Sequence, residues 1–322
     1  MNILVFGKDG QLGKAFQSVF EANKLDEQHH IDYLGRAKCD LSDEHALTAF
    51  LQQAKPKLII NAAAYTAVDQ AETEVELAYA INAKAPAIMA RYALEEGATL
   101  LHYSTDYVFD GSKATPYLES DARNPLGIYG KSKAAGEVAI EEVFKHHHNK
   151  KAQFAILRTS WVYGDGGNFI RTILRLAKER ESLKVIANQS GVPTSAHWLA
   201  STSLALVLDE NHQLRSFPSG IYHAVPQGET TWHALACYAV QVAIDVGVAL
   251  KLGPDQIKAI PASEYPLPAP RPMNSRMARS ALDTLMNQIA KGGDVTKLQQ
   301  WQLSWQDPVA YYVQDLVLHK GI

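Results

Sequence analysis

Cysteine is scarce in this chain, and its scarcity limits the kinds of site that the sequence can hold. Only Cys39 and Cys237 occur among 322 residues, and neither stands in a CxxC pair or in a cysteine–histidine spacing of the kind that binds zinc. A disulfide framework and a structural zinc site are therefore not indicated. The expected location is a reducing cytoplasm.

A strong charge of one sign is also missing. The formal net charge is −3 and the pI is about 6.5, which gives no electrostatic footprint for nucleic acid or a membrane surface. Apolar runs, such as the one near residue 60, stop well short of the roughly 18 residues that span a bilayer. No charged and then apolar leader precedes the first strand, so we expect the mature chain to begin at Met1. A small molecule is the expected partner.

Histidine is more frequent, and three of the 12 histidines form the run His146–His148. The run lies at the polar end of a predicted helix, beside Lys145, Lys150 and Lys151. We interpret it as a solvated helix end rather than a set of metal ligands, and we predict no metal site.

The first half of the chain alternates short apolar runs with amphipathic stretches whose apolar residues recur at spacings of three and four. This rhythm predicts βα units that feed a parallel sheet, and burial of the strands explains why they are almost wholly apolar. The predicted strands are Asn2–Phe6, Ile31–Leu34, Lys57–Asn61, Thr99–Ser104 and Phe154–Arg158. The predicted helices are Gln11–Asn23, His45–Ala54, Glu76–Gly97 and Tyr129–His146.

After about residue 160 the alternation loosens, and we interpret this half as a smaller lobe that caps the sheet and shares an interface with it. The predicted elements are helices near Phe169–Arg180, Trp198–Asp209 and from Trp232, and strands at Leu183–Ile186 and Gly220–Val225. The stretch from Pro254 to Pro272 is rich in proline, which excludes a central strand or helix and predicts an ordered loop. The predicted division gives residues 1–160 and roughly 187–240 to a dinucleotide-binding domain, and roughly 161–186 and 241–322 to a substrate-binding lobe.

Glycines follow the first predicted strand at once. The segment from Gly7 to Gly13, GKDGQLG, opens the first helix. Glycines allow a tight turn and a close approach of the backbone to a pyrophosphate, whose charge then meets the free N–H groups of the helix. A purely structural turn would use the same residues, but the position between strand and helix favours dinucleotide binding. The predicted fold is α/β: a Rossmann-type doubly wound parallel sheet with a smaller C-terminal substrate-binding lobe.

The end of the second strand indicates which dinucleotide is bound. An acidic residue there binds the ribose hydroxyls of NAD, whereas a cation binds the 2′-phosphate of NADP. Gly35 and Arg36 follow the predicted strand, which favours NADPH. Acceptance of NADH stays open, because Asp32 would take the acidic position if the strand ended earlier. The alternative interpretation of Arg36 is a solvated loop cation.

Two later segments carry hydroxyl and amine groups that suit the reduction of a ketone. Thr105 follows the fourth strand, at the edge where open α/β sheets bind ligands. Tyr129 and Lys133 stand four residues apart on one helix face. A carbonyl oxygen that gains a hydride must be protonated, and a phenol suits this task when a nearby cation favours its phenolate. We therefore predict that Tyr129 donates the proton, Lys133 lowers its pKa and holds the nicotinamide ribose, and Thr105 binds the substrate oxygen.

The complete pattern resembles the extended short-chain dehydrogenase/reductases, and among them the reductases of dTDP-linked 4-keto sugars. The matching segments are NILVFGKDGQLG, INAAAYTAVDQAE, HYSTDYVFDG, PLGIYGKSKAAGE, RTSWVYGDGGNF, GVPT and APRPMNSR, which together run over nearly the whole chain. STDYVFDG and YGKSK are shared with other sugar-nucleotide enzymes, whereas GQLG, SWVYG with GGNF, and RPMNSR are more specific. The resemblance implies that the 4-keto group of dTDP-4-dehydro-L-rhamnose is reduced to give dTDP-L-rhamnose, with NADPH as cofactor and Tyr129 as proton donor.

The resemblance also implies roles for particular residues. Thr105, Tyr129 and Lys133 match the family's catalytic triad. The expected cofactor-binding residues are Gly7, Gly10, Gln11, Leu12, Arg36, Asp40, Leu41, Ala62, Ala63, Ala64, Tyr65, Tyr129 and Lys133. The expected substrate-binding residues are Thr105, Asp106, Tyr107, Trp161, Asn168 and Arg271. Trp161 offers a flat apolar wall with one donor, although core packing explains it too, and Arg271 is able to fork onto diphosphate oxygens.

One position departs from the family. Some relatives carry a glutamate at the position of Ala15, where it takes part in a magnesium-bridged dimer interface. Alanine cannot ligate a metal, so we expect a monomer or a dimer built in another way.

Two other functions stay open. Another sugar-nucleotide ketoreductase or epimerase of the same superfamily would share the triad, and a non-catalytic regulatory subunit would share the fold. The intact Thr105, Tyr129 and Lys133 favour an enzyme over a regulatory subunit.

Overall fold

The protein is described by a computed structural model that covers residues 1–145, 149, 151–291 and 299–319. The interpretation of His146–His148 as a helix end concerns residues outside this description. Within the described ranges, no helix has both the length and the apolar character needed to cross a membrane.

Strands and helices alternate through the first half of the chain and are shorter in the second. The strands are β1 (Asn2–Phe6), β2 (His30–Leu34), β3 (Leu58–Asn61), β4 (Thr99–Thr105), β5 (Gln153–Thr159), β6 (Val162–Tyr163), β7 (Leu183–Ile186), β8 (Ser190–Gly191), β9 (Thr194–Ser195), β10 (Gly220–His223), β11 (Thr230–Thr231) and β12 (Ile257–Ile260). The helices are α1 (Gln11–Ala22), α2 (Glu44–Ala54), α3 (Val68–Ala71), α4 (Val75–Tyr79), α5 (Ala85–Glu96), α6 (Ile128–Lys145), α7 (Phe169–Glu179), α8 (Ala196–Val207), α9 (Trp232–Asp245), α10 (Ser280–Lys291) and α11 (Gln306–His319).

Six strands form one parallel sheet in the order β10-β5-β4-β3-β1-β2. Ile3 of β1 lies between Ile31 of β2 and Leu58 of β3. The chain leaves β1 in one direction to form β2 and returns to the other side to form β3, so the order reverses between β1 and β3. Open α/β sheets bind ligands at the carboxyl ends of the strands at such a reversal. The predicted Rossmann-type fold is confirmed.

The predicted elements of the first half agree with the structure to within a residue or two, with one exception. The predicted helix Glu76–Gly97 is divided by a π-helical turn, Ala80–Lys84, between α4 and α5. The widened turn contains Asn82, whose side chain binds the backbone N–H (2.9 Å) and carbonyl (3.1 Å) of Tyr65 and the Ser132 hydroxyl (3.0 Å). Apolar periodicity cannot reveal such a turn, because the residues on either side of it keep helical spacing.

The second half of the chain builds a separate apolar core. Helix α9 packs against α7 and α11, with Ile173, Ala239 and Val313 buried between them. Helix α10, in contrast, packs on the main core through Leu285 and Met286, next to the strands of the large sheet. The division of the chain into a cofactor-binding and a substrate-binding part stays a prediction.

The proline-rich stretch is less irregular than its composition predicted. Ile257–Ile260, inside the range Pro254 to Pro272, forms β12, which pairs in parallel with β7. The prediction of a loop was wrong for these four residues, which contain no proline. The exclusion of a central strand is not contradicted, because both strands of a two-stranded sheet are edge strands. Pro261 follows the strand directly.

A buried ion pair fixes α6 to the sheet. Glu137 of α6 is fully buried and receives hydrogen bonds from Arg158 of β5, at 2.9 Å from Nε and 2.7 Å from Nη2. Arg123 adds a third, at 2.5 Å. Burial alone would favour the neutral acid, but the hydrogen bonds and charges of the two arginines hold the pKa of Glu137 below its ordinary value.

We expect Glu137→Gln to lower the free energy of unfolding by about 3 kcal/mol, because it leaves a buried guanidinium without its counter-charge. The matched control is Glu179→Gln, which removes the carboxylate of an exposed pair with Arg175 and should change stability by less than about 0.5 kcal/mol. Urea unfolding at pH 7 measures both. Equal effects of the two variants would contradict the prediction.

Candidate active site

Glycines bring three backbone segments into contact at the point where the strand order reverses. Gly7, which follows β1, has φ +84°, and a Cβ there would lie 2.7 Å from the Ala63 nitrogen. A Cβ on Gly13 of α1 would lie 2.0 Å from the Gly7 carbonyl oxygen. The turn therefore packs tightly between the ends of β1 and β3 and the start of α1, where no side chain fits.

The start of α1 is suited to an anion. Gly10 is its N-cap and provides no capping side chain, and the first turn holds no acidic residue. The N–H groups of a first helical turn have no partner within the helix. Gln11 donates from Nε2 to the Gly167 carbonyl at 3.1 Å, whereas its buried Oε1 has no hydrogen-bond partner in the described part of the chain. These features fit a dinucleotide with a diphosphate.

The expected cofactor residues gather along this edge. Gly7, Gly10, Gln11 and Leu12 form the turn and the start of α1, and Leu12 also packs into the main core. Ala62, Ala63, Ala64 and Tyr65 directly follow β3. The three alanines have short side chains, so the backbone of this segment is able to approach the glycine turn closely.

The loop after β2 carries the residues expected at the adenosine end. Strand β2 ends at Leu34, as predicted, so Asp32 lies inside the strand, where it pairs with Lys38 at 2.7 Å. Arg36 lies beyond the strand end with 74% of its side chain exposed, and it contacts Asp40 at 3.1 Å. Hydrogen bonds from Ser42 and Arg36 lower the pKa of Asp40. The first charged residue after the strand end is therefore the cation Arg36. Leu41, which follows Asp40, is buried.

Thr105 and Tyr129 meet at the carboxyl end of β4. Thr105 is the last residue of β4, and Tyr129 is the second residue of α6. Burial raises the pKa of Tyr129 to about 12; a hydrogen bond with Thr105 lowers it and the Asp106 charge raises it. Sequence analysis predicted that Lys133 lowers this pKa, but burial outweighs any such effect. The phenol is therefore protonated at neutral pH and available as a proton donor.

Lys133 lies one helical turn further along α6 and is buried. Its ammonium donates to the Tyr103 carbonyl at 2.5 Å and lies 3.4 Å from His102 Nε2. Burial lowers the pKa of Lys133 to about 8, against the raising effect of Glu137. Burial and the Lys133 charge lower the pKa of His102 well below its ordinary value, so His102 is neutral.

Asn61 completes this polar chain. Its side-chain amide lies 3.0 Å from His102 Nδ1. The amide atom at this distance is Nδ2, a donor, so His102 Nδ1 accepts the hydrogen bond, whereas Asn61 Oδ1 has no hydrogen-bond partner among the described residues. Sequence analysis missed Asn61 and His102. The available signal was a polar residue near the carboxyl end of an otherwise apolar strand.

Asp106 and Tyr107 surround the Thr105 and Tyr129 pair. Thr105 Oγ1 donates to Asp106 Oδ1 at 2.9 Å. Burial raises the pKa of Asp106 to about 6, against hydrogen bonds from Ser275 and Thr105. The Tyr107 ring packs edge-on against Tyr129, with centroids 5.4 Å apart. The structure thus brings both expected substrate residues to the proton donor.

Trp161 and Asn168 lie in the segment after β5. Trp161 has φ +47°, which is unusual for a side chain of this size. Its indole stacks on Trp232 at 3.7 Å and covers Gly191, where a Cβ would lie 2.6 Å from the ring. The Asn168 side chain caps α7 through the Arg171 N–H and donates to the Gly164 carbonyl at 2.9 Å. The contacts of Trp161 are in part those of core packing. The contacts of Asn168 are those of a local helix cap.

Arg271 is held by a residue that sequence analysis did not single out. Asp69 of α3 receives two hydrogen bonds from its guanidinium, both 2.9 Å, and these lower the pKa of Asp69. Burial raises the pKa of Tyr107, and the charge of Arg271 opposes this effect. Glu72, directly after α3, accepts from the Ile128 N–H at the start of α6, at 2.8 Å.

The matches with known proteins agree with this geometry. Residues 1–307 match the family model described as RmlD substrate binding domain. The dTDP-4-dehydrorhamnose reductase of Escherichia coli (strain K12) is 44% identical over 282 residues, which cover 86% of this chain and 89% of that protein. The chain belongs to the dTDP-4-dehydrorhamnose reductase family. The resemblance inferred from sequence motifs is therefore confirmed.

Solved structures of other dTDP-4-dehydrorhamnose reductases share the complete fold. The structure from Clostridium acetobutylicum has a TM-score of 0.81 and 31% identity, covering 99% of this chain and 100% of that one. The structure from Bacillus anthracis was solved in complex with NADP; it has a TM-score of 0.80 and 30% identity, covering 98% of this chain and 99% of that one.

Ala15, where some members of the family carry a glutamate, is partly buried against the main core. Among the residues that the structure describes, no group of three or more His, Cys, Asp or Glu side chains is arranged to hold a metal. The expectation of a monomer or a differently built dimer stays a prediction.

The pKa of Asp106, raised to about 6, predicts a pH-dependent effect of Asp106→Asn. A raised pKa means that the neutral acid stabilises the fold below pH 3.8 and that this contribution is lost as the pH rises through 6. Because asparagine stays neutral, the variant should gain on the order of 2 kcal/mol over the wild type at pH 8, and less at pH 5. Unfolding at both pH values measures this gain, with exposed Asp245→Asn as control. A gain that does not depend on pH would disprove it.

Proposed function

We propose that the protein reduces the 4-keto group of dTDP-4-dehydro-L-rhamnose with NADPH and releases dTDP-L-rhamnose. Membership of the reductase family supports this substrate. The observation that carries the chemistry is the protonated phenol of Tyr129 beside the Thr105 hydroxyl, at the carboxyl edge of the sheet. A proton donor and an oxygen-binding hydroxyl are what a carbonyl needs as it becomes an alcohol.

The cofactor lies, in this proposal, across the reversal between β1 and β3. The diphosphate meets the turn of Gly7 and Gly10 and the first N–H groups of α1, at Gln11 and Leu12. Arg36, Asp40 and Leu41 receive the adenosine end, with Arg36 on the 2′-phosphate. The middle of the cofactor lies beside the residues that follow β3, which are Ala62, Ala63, Ala64 and Tyr65. The nicotinamide ribose is held by Tyr129 and Lys133. When bound, NADPH supplies the hydride; NADP in the Bacillus anthracis relative supports the choice.

Tyr129 gives its proton to the substrate oxygen as that oxygen gains negative charge. Thr105 donates a hydrogen bond to the same oxygen and fixes its position. The phenolate that forms is stabilised by the Lys133 ammonium, which Tyr103 and His102 hold in a buried position. A phenol with a pKa of about 12 regains its proton readily, so it returns to the donor form for the next turnover.

The sugar nucleotide lies, in this proposal, between the sheet edge and the smaller lobe, roughly residues 161–186 and 241–322. Asp106 and Tyr107 lie next to the proton donor, and Trp161 offers an apolar wall for the deoxysugar. Arg271 faces the diphosphate, held ready by Asp69. The side chain of Asn168 is occupied within the protein, so it contributes by shaping the loop that precedes α7.

We expect Tyr129→Phe to lower kcat by about 10²- to 10⁴-fold, because it removes the proton donor but keeps the ring. NADPH oxidation in the presence of dTDP-4-dehydro-L-rhamnose made in situ measures the rate. NADPH binding should be retained, and Tyr311→Phe, an exposed tyrosine on α11, is the control. A Tyr129→Phe variant with full activity would falsify the catalytic role.

The sugar can be tested separately. GDP-linked 4-keto sugars and other dTDP-linked 4-keto sugars should be reduced far more slowly than dTDP-4-dehydro-L-rhamnose. Preference for one of them would assign the chain to another reaction of the superfamily. No oxidation with any sugar, despite NADPH binding, would favour a regulatory subunit.

We expect Arg36→Ala to raise the KM for NADPH about 10-fold, because a guanidinium contact to a phosphate is lost. The KM for NADH should change by less than about twofold, since NADH has no 2′-phosphate. Arg175→Ala, which removes an exposed arginine of α7, serves as the control. Equal effects on both cofactors would show that Arg36 does not bind the 2′-phosphate.

A further inference from the structure

The hydroxyl of Tyr312, on α11, makes three hydrogen bonds to one short segment. It donates to the Gly164 carbonyl at 2.8 Å. It accepts from Asn168 Nδ2 at 2.7 Å and from Arg171 Nε at 3.0 Å. A phenol hydroxyl donates one hydrogen bond and accepts two, so the hydrogen-bonding capacity of Tyr312 is filled.

The segment that Tyr312 holds is the loop Gly164–Asn168, in which three of the five residues are glycines. Gly166 has φ +112°, and neither Gly166 nor Gly167 has any atom within 4 Å of the place where a Cβ would lie. Asn168 Nδ2 also donates to the carbonyls of Gly164 at 2.9 Å and Gly166 at 3.3 Å. Packing is therefore sparse at Gly166 and Gly167, and hydrogen bonds help to fix the loop.

The far side of the same loop reaches the cofactor-binding turn. The Gly167 carbonyl accepts from Gln11 Nε2 at 3.1 Å, and a Cβ on Gly164 would lie 3.5 Å from Gln11 Cβ. Gln11 is the first residue of α1, whose free N–H groups meet the diphosphate in the proposed function. A continuous set of contacts thus leads from α11 through the loop to the start of α1.

We propose that Tyr312 is a positioning residue for cofactor binding: it holds the loop Gly164–Asn168 against Gln11 and so fixes the start of α1. The inference rests on the proposed function, because it names NADPH as the ligand. The family match ends at residue 307, inside α11, so it does not include Tyr312.

Tyr312→Phe tests this role with little disturbance of packing. The Tyr312 ring packs edge-on against Tyr163, with centroids 5.1 Å apart, and phenylalanine keeps that contact. Only the hydroxyl and its three hydrogen bonds are lost. We expect the Kd for NADPH, measured by fluorescence titration without sugar, to rise about 3- to 10-fold.

The split between kinetic constants separates positioning from general destabilisation. The KM for NADPH should rise with the Kd, while kcat should change by less than about twofold. Tyr311→Phe, the neighbouring exposed tyrosine, is the matched control and should leave all constants unchanged.

A double-mutant cycle tests whether the effect passes through Gln11. Gln11→Ala alone should weaken NADPH binding, and adding Tyr312→Phe should weaken it no further, because the contact that transmits the effect is already gone. If instead the two effects are additive, Tyr312 does not act through Gln11 and the proposal is wrong. An unchanged Kd in Tyr312→Phe would overturn it as well.

Failure of this inference is distinguishable from failure of the proposed function. A wild-type protein that does not bind NADPH contradicts the proposed function itself. A wild-type protein that binds NADPH, with a Tyr312→Phe variant of equal affinity, contradicts only the role of Tyr312. If Tyr312→Phe is too unstable to titrate, Gln11→Ala with wild-type affinity for NADPH gives the same negative answer.

Discussion

The position of α6 depends on a buried charge. Glu137 and Arg158 are both inaccessible to solvent, and their hydrogen bonds tie the middle of α6 to β5. The same carboxylate raises the pKa of Lys133, one turn away, against the effect of burial. An ion pair in the core thus serves two purposes. It fixes the helix that carries Tyr129, and it helps to keep the neighbouring lysine charged.

The N-terminal end of α6 is held in a different way. Glu72, just after α3, accepts from the Ile128 N–H, and Asp69 in α3 binds Arg271 of the proline-rich stretch. One short helix therefore joins the start of the helix that carries Tyr129 to a loop on the substrate side. A ligand that draws Arg271 away from Asp69 would act on the element that also caps α6. The site is in this respect a connected unit rather than a set of separate contacts.

The sheet and the glycine turn could be predicted from the sequence because their signals are local. Apolar runs of strand length, and a glycine segment between the first strand and the first helix, are visible within about ten residues. Tyr129 and Lys133 could also be placed, since four residues on a helix give one face. Thr105 could be placed at the sheet edge because it follows the end of a predicted strand.

The contacts that complete the site could not be predicted, because they join residues far apart in the chain. Asn82, in the π-helical turn, binds Tyr65 and Ser132, which are 17 and 50 positions away in the chain. Asp69 and Arg271 are 202 positions apart. Strand β12 was missed for another reason: the prolines around it dominated the composition of the stretch, although its own four residues are free of proline.

The indole of Trp161 couples two positions on different segments of the chain. It lies where any side chain at residue 191 would have to stand, since a Cβ there would come within 2.6 Å of the ring. A residue larger than glycine at position 191 therefore requires that the indole move or that residue 161 become smaller. The two positions cannot be varied independently of each other.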